Sequence, residues 1–424
     1  MDSNILPEFR EKAIRLVCLA DSAEDAVRAF KLFRPFLAGC KFILAVSKGT
    51  VPGFAVNQAL AGGFMVRSLF ADSEVFFIDE HTVEEMQVGR ARIGFDHSIG
   101  LDNQIVSYME PYLSGRARVP DQYDQVFSYM ARRDIDVHPM PYIRENYGRI
   151  RAADPTELAR IFSKLVAFET LKTLDIERLE RTREARSALS NSELMARSQE
   201  HFSSLIYDSR TTSTGEYARF QHQCFYALLL KMACIQISNP RRNSAGKIES
   251  FLDFCHTEMA TMWMRETIIA QHYFDRGQGL TFFGKVQKRQ QKLFDVIRGM
   301  AWDLFHIRQL EAEMMMKPPA GARYFIPAFL TRDDGLVELM DLCPLKAIAL
   351  GKTGRGPVPF FRPEASAGTA LESPEIEDVI SNRYYSDEAI SSRNIRNAEA
   401  RRNLEATVAK LERQLANAAE VPVP

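Results

Sequence analysis

No two cysteines of this 424-residue chain form a C-x-x-C pair. The six present (Cys18, Cys40, Cys224, Cys234, Cys255 and Cys343) are scattered, which argues against a zinc ribbon and a disulfide framework and fits a reducing compartment. Long apolar runs are missing too. No stretch approaches the ~20 uninterrupted apolar residues that a membrane-spanning helix needs. The opening MDSNILPEFREK is charged and polar and lacks the apolar centre of a signal peptide. The expectation is a cytoplasmic chain with no membrane partner. An excess of one charge is also lacking: 54 Lys and Arg stand against 55 Asp and Glu, for a formal net charge of −1. With no global basic field, any nucleic-acid surface must be local.

What is present is ordinary globular composition, 46% hydrophobic and 26% charged, in a chain long enough for two or three domains. The N-terminal part alternates in type. Ile14–Ala20 and Cys40–Ser47 are apolar runs that read as buried strands, and Glu74–Asp79 (EVFFID) reads as a third. Between the first two lies AEDAVRAFKLFRPFLAG, apolar at helical spacing and stopping at Gly39. Such alternation suggests a parallel sheet. From about 121 to 317 the pattern is mostly helical, with one long helix expected from Ala152 to about Ser187. Polar interruptions follow at DSRTTSTGE and SNPRRNSAGK. ARYFIPAFLT reads as a strand whose Pro327 suggests an edge or irregular position, and RDDGLVELMDL starts a helix.

Three acidic residues stand at element ends: Asp102 in LDNQIVSY, Asp303 in GMAWDLFHIRQLE and Asp333 in FLTRDDGL. Carboxylates brought together repel and raise each other's pKa. A hard divalent cation such as Mg²⁺ or Mn²⁺ removes that cost, and it can activate water and stabilise a leaving oxygen. In this order the motifs resemble the PIN-like nucleases. That family opens its domain with a strand ending in Asp, starts a later helix near a second Asp, and ends the next strand in Thr-x-Asp with an apolar residue three positions on. Here these are Leu101-Asp102-Asn103, Trp302-Asp303-Leu304, and Thr331-Arg332-Asp333 with Leu336. The pair Asp333-Asp334 leaves either residue open as the ligand, and the Thr-x-Asp spacing favours Asp333. A fourth, helix-borne acid is expected at Glu145 in PMPYIRENYGR, with Glu169 as the alternative.

The resemblance implies an α/β fold: a parallel-sheet PIN-like core from residues 90–150 and 295–350, and a mainly helical insertion over 151–294. Residues 1–89 form an N-terminal α/β segment that can extend the same sheet. It further implies a Mg²⁺- or Mn²⁺-dependent nuclease acting on RNA more readily than DNA, with Asp102, Asp303, Asp333 and Glu145 as catalytic carboxylates, the three aspartates binding metal. Stand-alone relatives often serve as toxins or in phage defence. The competing reading is a non-catalytic helical scaffold with a degenerate α/β domain.

Each residue also has an ordinary structural reading. Asp102 and Asp333 suit helix N-caps, Asp303 suits a helix surface, and Glu145 suits a solvated face. His306, one helical turn after Asp303, is most simply a packed histidine. His222, Cys224, Cys255 and His256 do not have the spacing of a structural zinc site, and Met314–Met316 read as packing. The basic residues Lys285, Lys288, Arg289, Lys292 and Arg298 recur at helical spacing. They read as a solvated face or as a face that tracks phosphates, as does Arg241-Arg242. Residues 351–375 are rich in Gly, Pro and Ser and read as a linker. The tail, 376–424, is expected to be one long helix to about Ala419. Its stripe Leu404, Val408, Leu411, Leu415 is expected to drive self-association into a homo-oligomer as a coiled coil.

Overall fold

The computed structural model describes residues 5–51, 54–89, 93–115, 119–182, 184–211, 213–316, 318, 320–353, 357–365, 378 and 380–424. The fold is mixed α/β and mainly helical, with two sheets. The strands are β1 (Cys40–Val46), β2 (Gln58–Ala59), β3 (Met65–Arg67), β4 (Glu74–Ile78) and β5 (Phe95–Leu101). After them come β6 (Asp136–His138), β7 (Tyr324–Thr331), β8 (Leu345–Gly351) and β9 (Val358–Phe361). Two compact units divide the chain. The first holds Met1–Ala218, Gln309–Arg332 and Leu345–Phe360. The second holds Arg219–Arg308, Asp333–Pro344 and Phe361–Pro424. The helical span 151–294 is therefore shared between the units, with residues up to 218 grouped with the first.

In the first unit one sheet has the order β4-β1-β8-β9. β1 pairs antiparallel with both β4 and β8. The parallel arrangement expected for these early strands is corrected here. A parallel pair needs a crossover of a dozen or more residues, usually an α-helix, and among the described residues between β1 and β4 the chain makes turns, the short strands β2 and β3 and a 3-10 turn at Ala61–Gly63. Ile14–Cys18 is likewise not a strand but the end of the helix Ile5–Cys18. Its buried Ala13, Ile14, Val17 and Cys18 recur at helical spacing and pack with Phe30, Phe42, Leu44 and Ala347 in one core. The Phe30 ring meets Phe42 edge-on, with centroids 5.9 Å apart. Burying each such phenyl ring contributes ~1.5–3 kcal/mol.

The second sheet has the order β2-β3-β7-β5-β6. β5 pairs in parallel with β6 on one side and β7 on the other, while β3 pairs antiparallel with β7. Segment 1–89 thus contributes β2 and β3 to this sheet. β7 is an interior strand, which corrects the edge position inferred from Pro327. The register explains the tolerance. β3 covers only Phe329–Thr331, so at Pro327 just the β5 side makes a ladder and the missing N–H is not called on by β3.

The helices Asn103–Leu113 and Met140–Ala152 pack on this sheet, Pro155–Lys172 packs on both of them, and Tyr123–Met130 packs beside Asn103–Leu113, Tyr123 Oη donating to the Ile105 carbonyl at 3.1 Å. The helix Pro155–Lys172 starts with Pro155 at its first position and Asp154 capping the Glu157 N–H at 3.0 Å. It does not run to Ser187. At Thr173 the chain turns into a short antiparallel bridge, Leu174 with Ser187, and a separate helix Ile176–Thr182 follows. Ala188 N–H donates to the Thr173 carbonyl and Asp175 N–H to that of Arg186, so backbone groups that would continue the helix are used sideways.

The second unit is built from helices, among them Ser244–Thr257, Met264–Arg276, Asp334–Leu342, Asp387–Arg402 and Leu404–Ala419. Tyr273 stacks on Phe283 with centroids 3.9 Å apart. Three expectations are corrected here. Residues 284–292 are turns rather than a helix, so Lys285, Lys288, Arg289 and Lys292 do not share a helical face. Arg289 has φ 61°, a left-handed backbone that interrupts a helix. Within 351–375, residues 358–361 form β9, while 354–356 and 366–375 lie outside the described residues. Among the described residues the tail is not one helix but a π-helical turn, Ile380–Tyr384, and two α-helices that break at Asn403. Within the second unit three residues of its stripe, Leu404, Leu411 and Leu415, are buried and Val408 is half-buried, with Ala419 buried beyond them. Glu412 accepts from Tyr226 Oη at 2.8 Å and from Arg298 at 2.9 Å. The apolar seam assigned to self-association is therefore occupied by the chain's own helices.

Candidate active site

The carboxyl ends of β5, β6 and β7 lie side by side in the first unit, where parallel strands deliver their following segments. β5 ends at Leu101, opposite Leu330 of β7. Asp102 follows, its N–H donating to the Leu330 carbonyl at 3.1 Å. Its carboxylate accepts from the Gln104 N–H at 3.3 Å as the N-cap of the helix Asn103–Leu113, and from the fully buried Thr331 hydroxyl at 2.6 Å. Both the capping and the site-forming readings of Asp102 thus describe one geometry. The N-cap bond and Thr331 fix the carboxylate at the mouth of the sheet.

β6 delivers the second carboxylate. After His138 and Pro139 the helix Met140–Ala152 begins, and it carries half-buried Glu145. Asn103 donates from its side-chain amide to Glu145 Oε2 at 2.9 Å. Residues 102–103 and 145 are thereby brought together through Asn103. The close approach of the β6 turn depends on Gly100: a Cβ there would lie 2.9 Å from Pro141 Cγ and 3.3 Å from His138 Cε1. Burial holds the His138 imidazole below its ordinary pKa, against the opposing Glu313 carboxylate.

Sequence reading did not single out the cationic side of this site. Lys164, on the helix Pro155–Lys172, donates to Ser107 Oγ at 2.6 Å, one helical turn beyond Asn103. Its ammonium also lies 5.1 Å from the Tyr142 ring centroid. Burial lowers the Lys164 pKa, with neighbouring Arg160 adding to the effect and Glu110 opposing it. Burial also pushes the Tyr142 hydroxyl up to about 12. The only sequence hint was a lysine set among apolar residues in IFSKLVAF.

Glu169, the alternative fourth acid, is committed elsewhere. It is buried and accepts from Arg197 at 2.5 Å, and it meets His201 Nδ1 at 2.7 Å. Burial raises its pKa, but these two donors outweigh that and the net shift is downward.

The remaining sequence candidates belong to the second unit. Asp333 caps the helix Asp334–Leu342, accepting from the Leu336 N–H at 3.0 Å. Asp303 is half-buried on the helix Leu293–Glu313, next to Trp302, whose indole stacks on His222 with centroids 4.3 Å apart. His222 Nε2 donates to the Arg298 carbonyl at 2.9 Å. His306 is buried beside Trp302 and Phe305. In the 284–292 turns, Arg289 pairs with Glu420 at 2.6 Å and Lys288 approaches it at 3.9 Å, while Lys285 and Lys292 are exposed. Among the described residues, no group of three or more His, Cys, Asp or Glu side chains is placed to hold a metal ion. No helix among them is long and apolar enough to cross a membrane. No family model, curated protein or solved structure matches the chain.

Proposed function

We propose that the chain is a divalent-metal-dependent nuclease, with RNA as its preferred substrate and Asp102 and Glu145 as its carboxylates in the first unit. The observation that carries this reading is Asp102 at the carboxyl end of the middle strand of a parallel trio, held by Thr331, with Asn103 tying Glu145 beside it. The donor set is hard oxygen, which suits Mg²⁺ or Mn²⁺. Mg²⁺ commonly keeps several waters and uses one or two carboxylates plus substrate phosphate oxygens, so the pair fits without a third protein ligand. When bound, such an ion lowers the pKa of an attacking water and neutralises charge on the phosphate.

The chain's own residues do the positioning. The Thr331 hydroxyl and the Gln104 N–H aim the two oxygens of Asp102. The Asn103 amide fixes Glu145 as an acceptor. Holding groups in place before reaction is how a site with few ligands lowers a barrier. The parts that the resemblance gives to Asp303 and Asp333 are separate proposals, tested residue by residue.

The test is incubation of the purified chain with 5′-labelled RNA and DNA of one sequence, with Mn²⁺ or with chelator. Cleavage is expected only with the metal, and faster for RNA. Asp102→Asn keeps one acceptor oxygen for the helix cap and turns its amide NH2 to the Thr331 hydroxyl, which can accept as well as donate, while removing the charge. It is expected to cut the rate by orders of magnitude with little change in melting temperature, as is Glu145→Gln. Undiminished cleavage by either variant removes that residue from the site. No cleavage of either nucleic acid by the wild type favours the scaffold reading.

A further inference from the structure

We propose that Lys164 is the phosphate-binding cation of this site, holding a backbone phosphate of the bound strand beside Asp102 and Glu145. The inference rests on the nuclease reading for the identity of the ligand, but its geometry stands on its own. The helix Pro155–Lys172 packs along the helix Asn103–Leu113, which starts at Asp102, and Ser163 Oγ donates to Glu110 Oε2 at 3.1 Å between them. From this contact Lys164 reaches back one turn to Ser107 Oγ, whose own hydroxyl donates to the Asn103 carbonyl at 2.8 Å. The ammonium is thereby linked through Ser107 to the residue that holds Glu145.

The cations around it are already matched. Arg160 pairs with Glu157 at 2.7 Å, and Arg149 lies 3.6 Å from the same carboxylate. Lys164 is different. Among the described residues it makes no ion pair, and its partners are a neutral hydroxyl and the face of Tyr142. An ammonium has three donors, and a half-buried charge that feels Glu110 and Glu145 only at a distance, with no carboxylate bonded to it, is costly. The Ser107 bond uses one donor. A phosphate oxygen is the kind of group that would take another and supply a directly bonded negative charge. A lysine acts on phosphate as a point charge and needs no bidentate geometry.

The experiment measures binding without cleavage. A fluorescently labelled single-stranded RNA is titrated with wild type, Lys164→Met and Lys164→Arg in chelator, over a series of salt concentrations. Adenosine monophosphate serves as a competitor. Removing one phosphate contact is expected to weaken binding and to reduce the slope of log affinity against log salt by about 0.7, with Lys164→Arg restoring most of it. A purely structural lysine would not move the salt slope. Displacement of RNA by the mononucleotide at comparable concentration would assign the site to a free nucleotide phosphate and overturn the strand assignment. Unchanged affinity and slope in Lys164→Met, with melting temperature at or above wild type, would overturn the proposal, even if metal-dependent cleavage is found. A reduced slope in a chain that cleaves nothing would keep the phosphate site and remove the nuclease.

Discussion

Asp333 has two roles open to it, and a pair of substitutions separates them. Its side chain accepts from the Leu336 N–H as a helix cap, and Asn caps as well as Asp does. Asp333→Asn is therefore expected to melt within a degree or two of wild type, whereas Asp333→Ala should lose ~1 kcal/mol of stability. If Asp333 is also a metal-binding carboxylate, cleavage falls by orders of magnitude in both variants, because neither carries the charge. If it is a cap only, Asp333→Asn cleaves as the wild type does. The melting curves and the cleavage rates of the two proteins decide between the roles. Residues such as Asp102, Glu145 and Asp333 could be picked out from sequence because an acid just after a strand, or on the next helix, stands out locally. Lys164 and Ser107 could not. They are 57 residues apart and meet only because two helices pack, and nothing in the spacing of either segment records that meeting.

At the scale of elements, local pattern was a good guide to which segments order and a poor guide to what they pair with. β1, β4 and β7 follow from their apolar runs, and the helix beginning at Asn103 follows from LDNQIV. The direction of pairing of β1 depends on what lies between strands, not on the strands themselves. The basic stretch 285–292 has helical spacing by residue type, yet it contains a left-handed Arg289 whose N–H donates to the Ala419 carbonyl at 2.7 Å. That partner, on the C-terminal helix, lies far outside the stretch in sequence. The tail shows the same rule. Its stripe is real, and the sequence could not say whether a second copy or its own unit covers it. Leu411 is 1% exposed, and its carbonyl accepts from Cys234 Sγ at 3.7 Å. Leu411→Ala should therefore cost ~2–5 kcal/mol and lower the melting temperature by several degrees. Light scattering should give the same mass for both proteins. A fall in mass with unchanged melting would mean that the stripe serves an interface between copies instead.

At the scale of the molecule, partly buried histidines link stability to pH. His97 lies on β5, where its Nδ1 donates to the Ile326 carbonyl at 2.9 Å and its ring meets Phe54 edge-on. Burial depresses its pKa below the ordinary 6.5, against the opposing pull of the Ile326 bond and of Asp96 and Asp136. His138 and His256 are lowered as well, each chiefly by burial. In the unfolded chain all three titrate near 6.5. Below that value the unfolded state takes up protons that the native state refuses, so by linkage stability falls as pH falls. Their contribution is fully present above about 6.5 and is lost on the way down towards the depressed native values. Asp79 and Glu169 act in a lower window. Burial raises each, but hydrogen bonds overcome it and both native pKa values are lowered, so their contribution is lost only at pH near and below the ordinary carboxylate range. Between pH 7.5 and 5.5 the histidines therefore dominate the slope among these groups. Denaturant unfolding at those two pH values should show a less stable protein at 5.5. His97→Asn keeps a donor on the Nδ1 side and has no titrating ring. Whatever its absolute stability, it should lose less between the two pH values than the wild type does. An equal loss in both proteins would take His97 out of the linkage and leave His138 and His256 to account for the slope.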